Sequence, residues 1–306
     1  MAANTVLVTG ASGLIGQRVA RVLTASGRAV LATDAVAAED SAVAIEVADL
    51  RDRDRLAELV SGGLDAIVHC GGFSGPMVGT SAPRCLLDVN VGGTANLLDV
   101  GREQGIRRFV FASTATVYGV TTGEFADESV LPRPANIYSA SKFASEQLVN
   151  GYARHFTGGA FNLRLAWVYG PRRTTDCVIR QMIQDALDQV PTKLPYGEGF
   201  PRQFMHVDDV ARALVQALDV LGTPALDAYN VTGESRTTLD EVAALVREVL
   251  PGADIGLSPG PDPLDVEQAY FHTTAARRDL GFAPHIPLRE GIATYAEWLA
   301  AHRGQA

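Results

Sequence analysis

The stretch from Thr5 to Gly16 constrains this chain more than any other. Thr5-Val6-Leu7-Val8 is a short apolar run with strand character, and Thr9-Gly10-Ala11-Ser12-Gly13-Leu14-Ile15-Gly16 follows it directly into a helix-like segment. A strand, a glycine turn and a helix amino terminus, in that order, make an anion site. Small residues let the backbone approach a pyrophosphate, and the free N–H groups and dipole of the helix face it. The spacing is Gly-x-x-Gly-x-x-Gly, and its place between strand and helix points to nucleotide binding. The candidate cradle is Gly10, Ser12, Gly13, Leu14, Ile15 and Gly16.

The unit repeats in kind. Strands are expected at Thr5–Val8, Ala29–Thr33, Ala42–Val47, Ala66–Cys70, Arg108–Ala112 and Ala160–Leu165. Helices are expected between them, at Leu14–Ser26, Arg53–Val60, Pro83–Gln104 and Ala135–Phe156. Alternation of this kind predicts an α/β fold, a doubly wound parallel sheet with helical crossovers. Beyond Leu165 the pattern loosens and prolines punctuate it, although helices recur at Val207–Leu221, Leu239–Val249 and Leu288–Ala301. Thr238 with Glu241 reads as a capping box. The expectation is a nucleotide-binding domain over 1–165, with 207–226 returning to it. A smaller, discontinuous α+β substrate lobe would comprise 166–206 and 227–306.

Composition narrows the function classes. A net charge of −9 argues against a binder of nucleic-acid phosphates. Cys70, Cys85 and Cys177 are too scattered for a disulfide framework or a zinc site, and the six histidines contain no helical metal-ligand pair. No metal is expected. No apolar run reaches the roughly 18 residues of a membrane span. No leader-like segment precedes the first strand, so a cytoplasmic location without membrane or nucleic-acid partners is expected.

Asp34 ends the second strand, eighteen residues beyond Gly16. A carboxylate there accepts hydrogen bonds from ribose hydroxyls and repels a 2′-phosphate; no arginine follows, so NAD is expected over NADP. Asp49-Leu50 could meet the adenine edge, and Gly71 and Gly72 leave room for the cofactor backbone. His69 is expected to be structural. Tyr138 and Lys142 sit at i and i+4 on one helix face. An ammonium beside a phenol lowers its pKa and makes it a usable base. Ser113-Thr114 ends the fifth strand, at the sheet edge where ligands bind, and could hold the substrate oxygen.

These pieces recur as a set. Thr9-Gly10-x-x-Gly13-x-x-Gly16, Asp49-Leu50, Asn90-Val91-x-Gly93-Thr94 and Ser113-Thr114-x-x-Val117-Tyr118-Gly119 come in that order. Tyr138-x-x-x-Lys142, Val168-Tyr169-Gly170-Pro171-Arg172 and Phe204-x-His206-Val207-Asp208-Asp209-Val210 complete it. With them, nearly the whole chain resembles the extended short-chain dehydrogenases/reductases, in the NAD-dependent epimerase/dehydratase group. The resemblance implies a Rossmann-type domain and a catalytic Ser/Thr-Tyr-Lys triad, with Thr114 as its hydroxyl and Ser113 beside it. It also implies that Asn90 and Lys142 touch the ribose side of the cofactor.

Within that group, the sugar-nucleotide dehydratases carry Asp-Glu directly after the triad hydroxyl, where this chain has Ala115-Thr116. The resemblance therefore favours 4-epimerisation of a nucleotide sugar over 4,6-dehydration. It makes Arg202 a candidate for a diphosphate, with Arg172 as another, and reads Asp208 and Asp209 as a helix cap pair. Two departures open an alternative. Trp167 stands where an asparagine is usual, and Ser258–Asp262 lacks the usual arginine. A dehydrogenase of a free sugar, sugar acid or polyol would use the same triad, with Gly72-Phe73-Ser74-Gly75-Pro76-Met77 lining a smaller pocket. A non-catalytic NAD sensor is a third reading, against which the intact Thr114, Tyr138 and Lys142 argue. By resemblance, a homodimer would form through the helices over 83–104 and 135–156.

Overall fold

A computed structural model describes residues 5–38, 41, 43–75, 82–121, 123–263 and 265–303. The first domain runs β1 (Thr5–Thr9), α1 (Leu14–Ala25), β2 (Ala29–Asp34), β3 (Ile45–Val47), α2 (Arg53–Leu59) and β4 (Ala66–His69). It continues with α3 (Pro83–Leu87), α4 (Gly93–Glu103), β5 (Arg108–Thr114), β6 (Phe125–Ala126), α5 (Ile137–Tyr152) and β7 (Ala160–Leu165). Then come β8 (Trp167–Tyr169), α6 (Val178–Asp188), β9 (Thr192–Glu198), β10 (Pro201–Arg202), β11 (Phe204–His206), α7 (Val207–Asp219) and β12 (Tyr229–Val231). The chain closes with β13 (Thr237–Thr238), α8 (Leu239–Val249), β14 (Ile255–Pro259), β15 (Tyr270–Phe271), α9 (Thr274–Leu280) and α10 (Leu288–Ala301).

Seven strands form one parallel sheet in the order β12-β7-β5-β4-β1-β2-β3. Every residue of β4 and β5 is buried, as helices on both faces require. One face packs α1 and α7 around Val19, Leu23, Val210 and Leu214; the other packs α2, α4 and α5 around Leu56, Leu97 and Leu98. The second lobe has its own core between α6, α8 and α10, including Met182, Val242 and Ile292.

The boundaries differ from expectation for local reasons. β5 runs to Thr114, so both candidate hydroxyls are strand residues. The long helix expected over 83–104 is interrupted by a π-helical turn at Asp88–Gly92, which carries Asn90. α5 starts at Ile137, after Pro132 and Pro134, because Asn136 caps it through a reciprocal box with Ser139. β3 is shorter than expected, and Ala42 lies outside the described residues. The Thr238–Glu241 box opens α8. Residues 229–231, placed with the second lobe from sequence, pair with β7 as an edge of the main sheet.

Arg108 ties α7 to that sheet. It is fully buried, and its guanidinium donates to the carbonyls of Ala217, Leu218, Val220 and Gly222 at the end of the helix and to Gly158. A cation there satisfies the carbonyls a helix end leaves open and sits at the negative pole of its dipole.

Candidate active site

The strand order reverses between β1 and β4, and this switch point opens a cavity of about 580 Å³ at the carboxyl edge of the sheet. The glycine turn forms one wall. Gly10 has φ +67°, and a Cβ there would lie 2.7 Å from the Gly71 nitrogen. A Cβ on Gly16 would lie 2.2 Å from the Gly10 carbonyl oxygen, so only glycine lets α1 start this close to the turn. α1 begins without a side-chain cap, and Leu14, Ile15 and Gly16 line the cavity at its amino terminus. This is the backbone arrangement that a pyrophosphate fits.

Asp34 ends β2 at one side. Its carboxylate accepts from the Ser12 amide at 3.0 Å and the Ala35 amide at 2.7 Å, which aims it into the cavity. Val36, Ala37 and Ala38 continue the wall with no cation. The residues from the glycine turn to Asp34 therefore suit the pyrophosphate and free ribose hydroxyls of a dinucleotide.

The opposite side carries the candidate acid–base groups. Thr114, Tyr138 and Lys142 all line the cavity, although each is more than nine-tenths buried. Thr114 Oγ1 accepts from the Thr116 amide at 3.2 Å and lies 3.0 Å from the Thr116 hydroxyl. Burial pushes the Tyr138 phenol above its ordinary value; the hydroxyls of Ser74 and Thr114, the Gly75 amide and the charge of Arg173 pull the other way. Lys142 donates to the Ala112 carbonyl at 2.9 Å and lies 4.6 Å over the Phe111 ring. Burial brings its pKa down to about 8. The expected lowering of the phenol by this ammonium is not found in the protein alone: the groups that lower it are Ser74, Thr114, Gly75 and Arg173, and desolvation outweighs them.

Several candidates take other places. Ser113 reaches the cavity wall, but its hydroxyl donates at 2.5 Å to Glu146, a buried carboxylate that also pairs with Arg164 at 2.8 Å. Asn90 lies behind the wall. It accepts from the Phe73 amide at 2.8 Å and donates to the Phe73 carbonyl and Ser141, so it positions the Phe73 loop. Asp49 pairs with Arg51 at a separate surface depression, and Leu50 packs under Gly71 and Gly93; neither lines the cavity. Arg172 takes a left-handed backbone (φ 74°) and lies off the cavity, which its neighbour Arg173 lines instead. Trp167, Gly71, Gly72, Phe73, Ser74 and Gly75 line it, while Pro76 and Met77 lie outside the described residues.

Arg202 differs most from expectation. It is buried, stacks 4.1 Å over Trp167, and is bound by both Asp262 and Asp265. Its charge is already met. The cap at α7 also changes hands: the His206 ring accepts from the Asp208 amide, Asp208 pairs with Arg18, and Asp209 accepts from the amides of His285 and Ile286. His69 is structural, bonded to Thr9 and Thr94, and burial holds its pKa at about 3. Leu86, Leu97 and Leu98 are core residues of this chain.

Arg173, Thr116 and Gln268 were not anticipated. Gln268 comes from the second lobe and donates to the carbonyls of Ala115 and Gly119, bracing the turn after Thr114. Nothing local marks it. Arg173 adjoins a flagged arginine, but only the turn at Arg172 decides which of the pair faces inward.

Among the described residues, no helix is long and apolar enough to cross a membrane. A family model for the NAD dependent epimerase/dehydratase family matches residues 6–232. A UDP-glucuronate 4-epimerase of Thermodesulfobacterium geofontis is 25% identical, the match covering 95% of each chain. A dTDP-glucose 4,6-dehydratase of Streptomyces griseus is 32% identical over 97% of this chain and 94% of its own. The solved UDP-glucose 4-epimerase of Thermus thermophilus, a complex with NAD, superposes with a TM-score of 0.86 at 29% identity, covering 99% and 100% of the two chains. With the glycine turn, Asp34 and the Tyr138–Lys142 helix gathered at one switch point, the match over most of its length establishes that the chain belongs to the NAD dependent epimerase/dehydratase family.

Proposed function

We propose that this protein catalyses the reversible, NAD-dependent epimerisation of a nucleotide sugar at carbon 4, in the cytoplasm. One observation carries the reading: a single cavity has a dinucleotide cradle at one end and Thr114, Tyr138 and Lys142 at the other. Asp34 on β2 and Thr114 on β5 are separated by β1 and β4, a distance of about 14 Å at the usual strand spacing. Asp34 is the one carboxylate lining the cavity among the described residues. Loss of water from a sugar needs an acid and a base next to the oxidised carbon. Ala115 and Thr116 supply neither, which favours epimerisation over dehydration.

Tyr138 takes the proton of the carbinol hydroxyl. The Thr116 amide donates to one lone pair of Thr114 Oγ1; when the Thr116 hydroxyl donates to the other, the Thr114 hydroxyl hydrogen is available to the carbinol oxygen. When bound, NAD would supply a reversible hydride acceptor and a positively charged ring. Lys142 stays buried on the Ala112 carbonyl, a fixed cation that favours the ionised phenol once the site is filled. After the sugar turns over, Tyr138 returns the proton. The cavity lies within the usual size range of ligand sites, roughly 300–1,000 Å³.

The test follows product stereochemistry and NADH absorbance over a panel of nucleotide sugars, free sugars and sugar acids. Inverted nucleotide sugar without NADH accumulation is expected. Stoichiometric NADH from a free sugar or sugar acid would replace this reading with the second one, a net dehydrogenase. The pairing of Arg202 with Asp262 and Asp265 favours that alternative, because it leaves no unmet charge there for a diphosphate. We also infer a homodimer through α3, α4 and α5, on family resemblance; sedimentation at monomer mass would remove it.

A further inference from the structure

A second cavity, of about 520 Å³, opens at the amino edge of the parallel sheet, opposite the catalytic one. It lies between Arg28 before β2, the start of β5, residues 157–158 before β7, and the end of α7. Its charged lining is Arg28, Arg107, Arg108 and Asp219, none of which reaches the catalytic cavity. Three guanidinium groups against one carboxylate leave two positive charges, in a chain whose net charge is −9. Among the described residues, Asp219 is the one carboxylate that pairs with any of the three.

The three cations stand in different states. Arg108 is fully buried, and the carbonyls at the end of α7 occupy its N–H groups, so it contributes charge rather than a contact face. Arg107 is half-buried beside it and uses one of five N–H groups, on the Leu218 carbonyl at 3.2 Å. Burial, and then the charge of Arg107, push the Arg108 pKa down to about 10, so the two groups repel. Arg28 donates from Nη2 to Asp219 at 2.7 Å, while its Nη1 is buried and meets no acceptor among the described residues. A buried donor without an acceptor carries a cost that a bound oxygen would remove.

We propose that this cavity binds a phosphate group, with Arg28 and Arg107 as its donors and Arg108 as a fixed charge beneath. A phosphate suits the site better than a carboxylate. Its several oxygens accept from both guanidinium groups at once, and its charge of about −2 matches the two that are uncompensated. The cavity is larger than a bare phosphate, and Val220 and the exposed Leu221 line the remainder. A small phosphate ester fits with its organic part on that apolar rim; free phosphate is the other source. The site is at the far edge from Tyr138, so the inference stands apart from the 4-epimerase reading.

Inorganic phosphate and glycerol 3-phosphate are titrated calorimetrically into the NAD-saturated protein, at constant ionic strength set by chloride. Saturation with NAD keeps phosphate out of the cradle at the other edge. The wild type should bind both probes saturably. Arg107→Gln and Arg28→Gln should each weaken binding by about tenfold or more, the worth of a charge-assisted hydrogen bond, and leave NAD affinity unchanged. Asp219→Asn keeps all three cations and removes the competing carboxylate, so it should tighten binding. It breaks the same ion pair as Arg28→Gln yet moves affinity the other way, which separates a lost donor from a disturbed fold. Tighter binding of the ester would uphold the proposal with an esterified phosphate as the source. Equal or tighter binding of inorganic phosphate would uphold it with free phosphate. Absence of saturable binding, or binding indifferent to Arg28, Arg107 and Asp219, would overturn it.

Discussion

Lys142→Met should stabilise the unliganded protein while abolishing its chemistry. Burial moves the Lys142 pKa from 10.5 to about 8. At 1.36 kcal/mol for each pH unit, that drop corresponds to about 3 kcal/mol. Below pH 8 both the folded and unfolded chains hold the proton, and the folded state bears the whole cost of burying it. Between pH 8 and 10.5 the folded state has released the proton and the unfolded state has not, so the cost shrinks as pH rises. Methionine fills a similar volume against Phe111 and carries no charge; it gives up the bond to Ala112, worth about 1 kcal/mol. The variant should therefore be more stable than wild type by about 2 kcal/mol at pH 7, with most of that advantage gone near pH 9.5. Urea unfolding of both proteins without dinucleotide, at the two pH values, measures it. A variant less stable than wild type at pH 7, or an advantage that does not change with pH, would refute the reasoning. The cost of a buried ammonium would then be offset by contacts other than those described.

Tyr138→Phe should lower turnover by about 10²–10⁴-fold, the usual contribution of a positioned acid–base group, while NAD still binds; unchanged turnover would remove Tyr138 from the mechanism. Asp34→Ala should weaken NAD binding by about tenfold and erase the preference over NADP, as titration of both dinucleotides would show. Glu146→Ala leaves Arg164 buried without its partner and Ser113 without its acceptor, so urea unfolding should show a loss of about 3–5 kcal/mol. A Glu146→Leu, Arg164→Met pair should recover much of that loss, because it removes both buried charges together.

The fold was legible because its signals are local. Strands with two buried faces read as apolar runs, the glycine turn announces itself between β1 and α1, and the Tyr138–Lys142 spacing survives on any helix. Ser12 and Asp34 were legible for the same reason, since they belong to neighbouring turns, whereas Asp49 and Leu50, expected at the adenine edge, lie off the cavity. The substrate end was not. Arg202 looked like a free cation because the aspartates that neutralise it lie sixty and sixty-three residues away in sequence. The acceptor that holds the Ser113 hydroxyl, Glu146, is likewise thirty-three residues away in sequence.

The sequence by itself determined the doubly wound sheet, the glycine turn between β1 and α1 and the pairing of Tyr138 with Lys142 on one helix, since each depends on residue type and spacing along one stretch of chain. Tertiary structure alone decided which charges remain available inside the cavity. Whether an arginine offers its charge to a ligand depends on what the rest of the fold has placed against it, and that pairing, like the desolvation of Lys142 and Tyr138, is a property of distance in space.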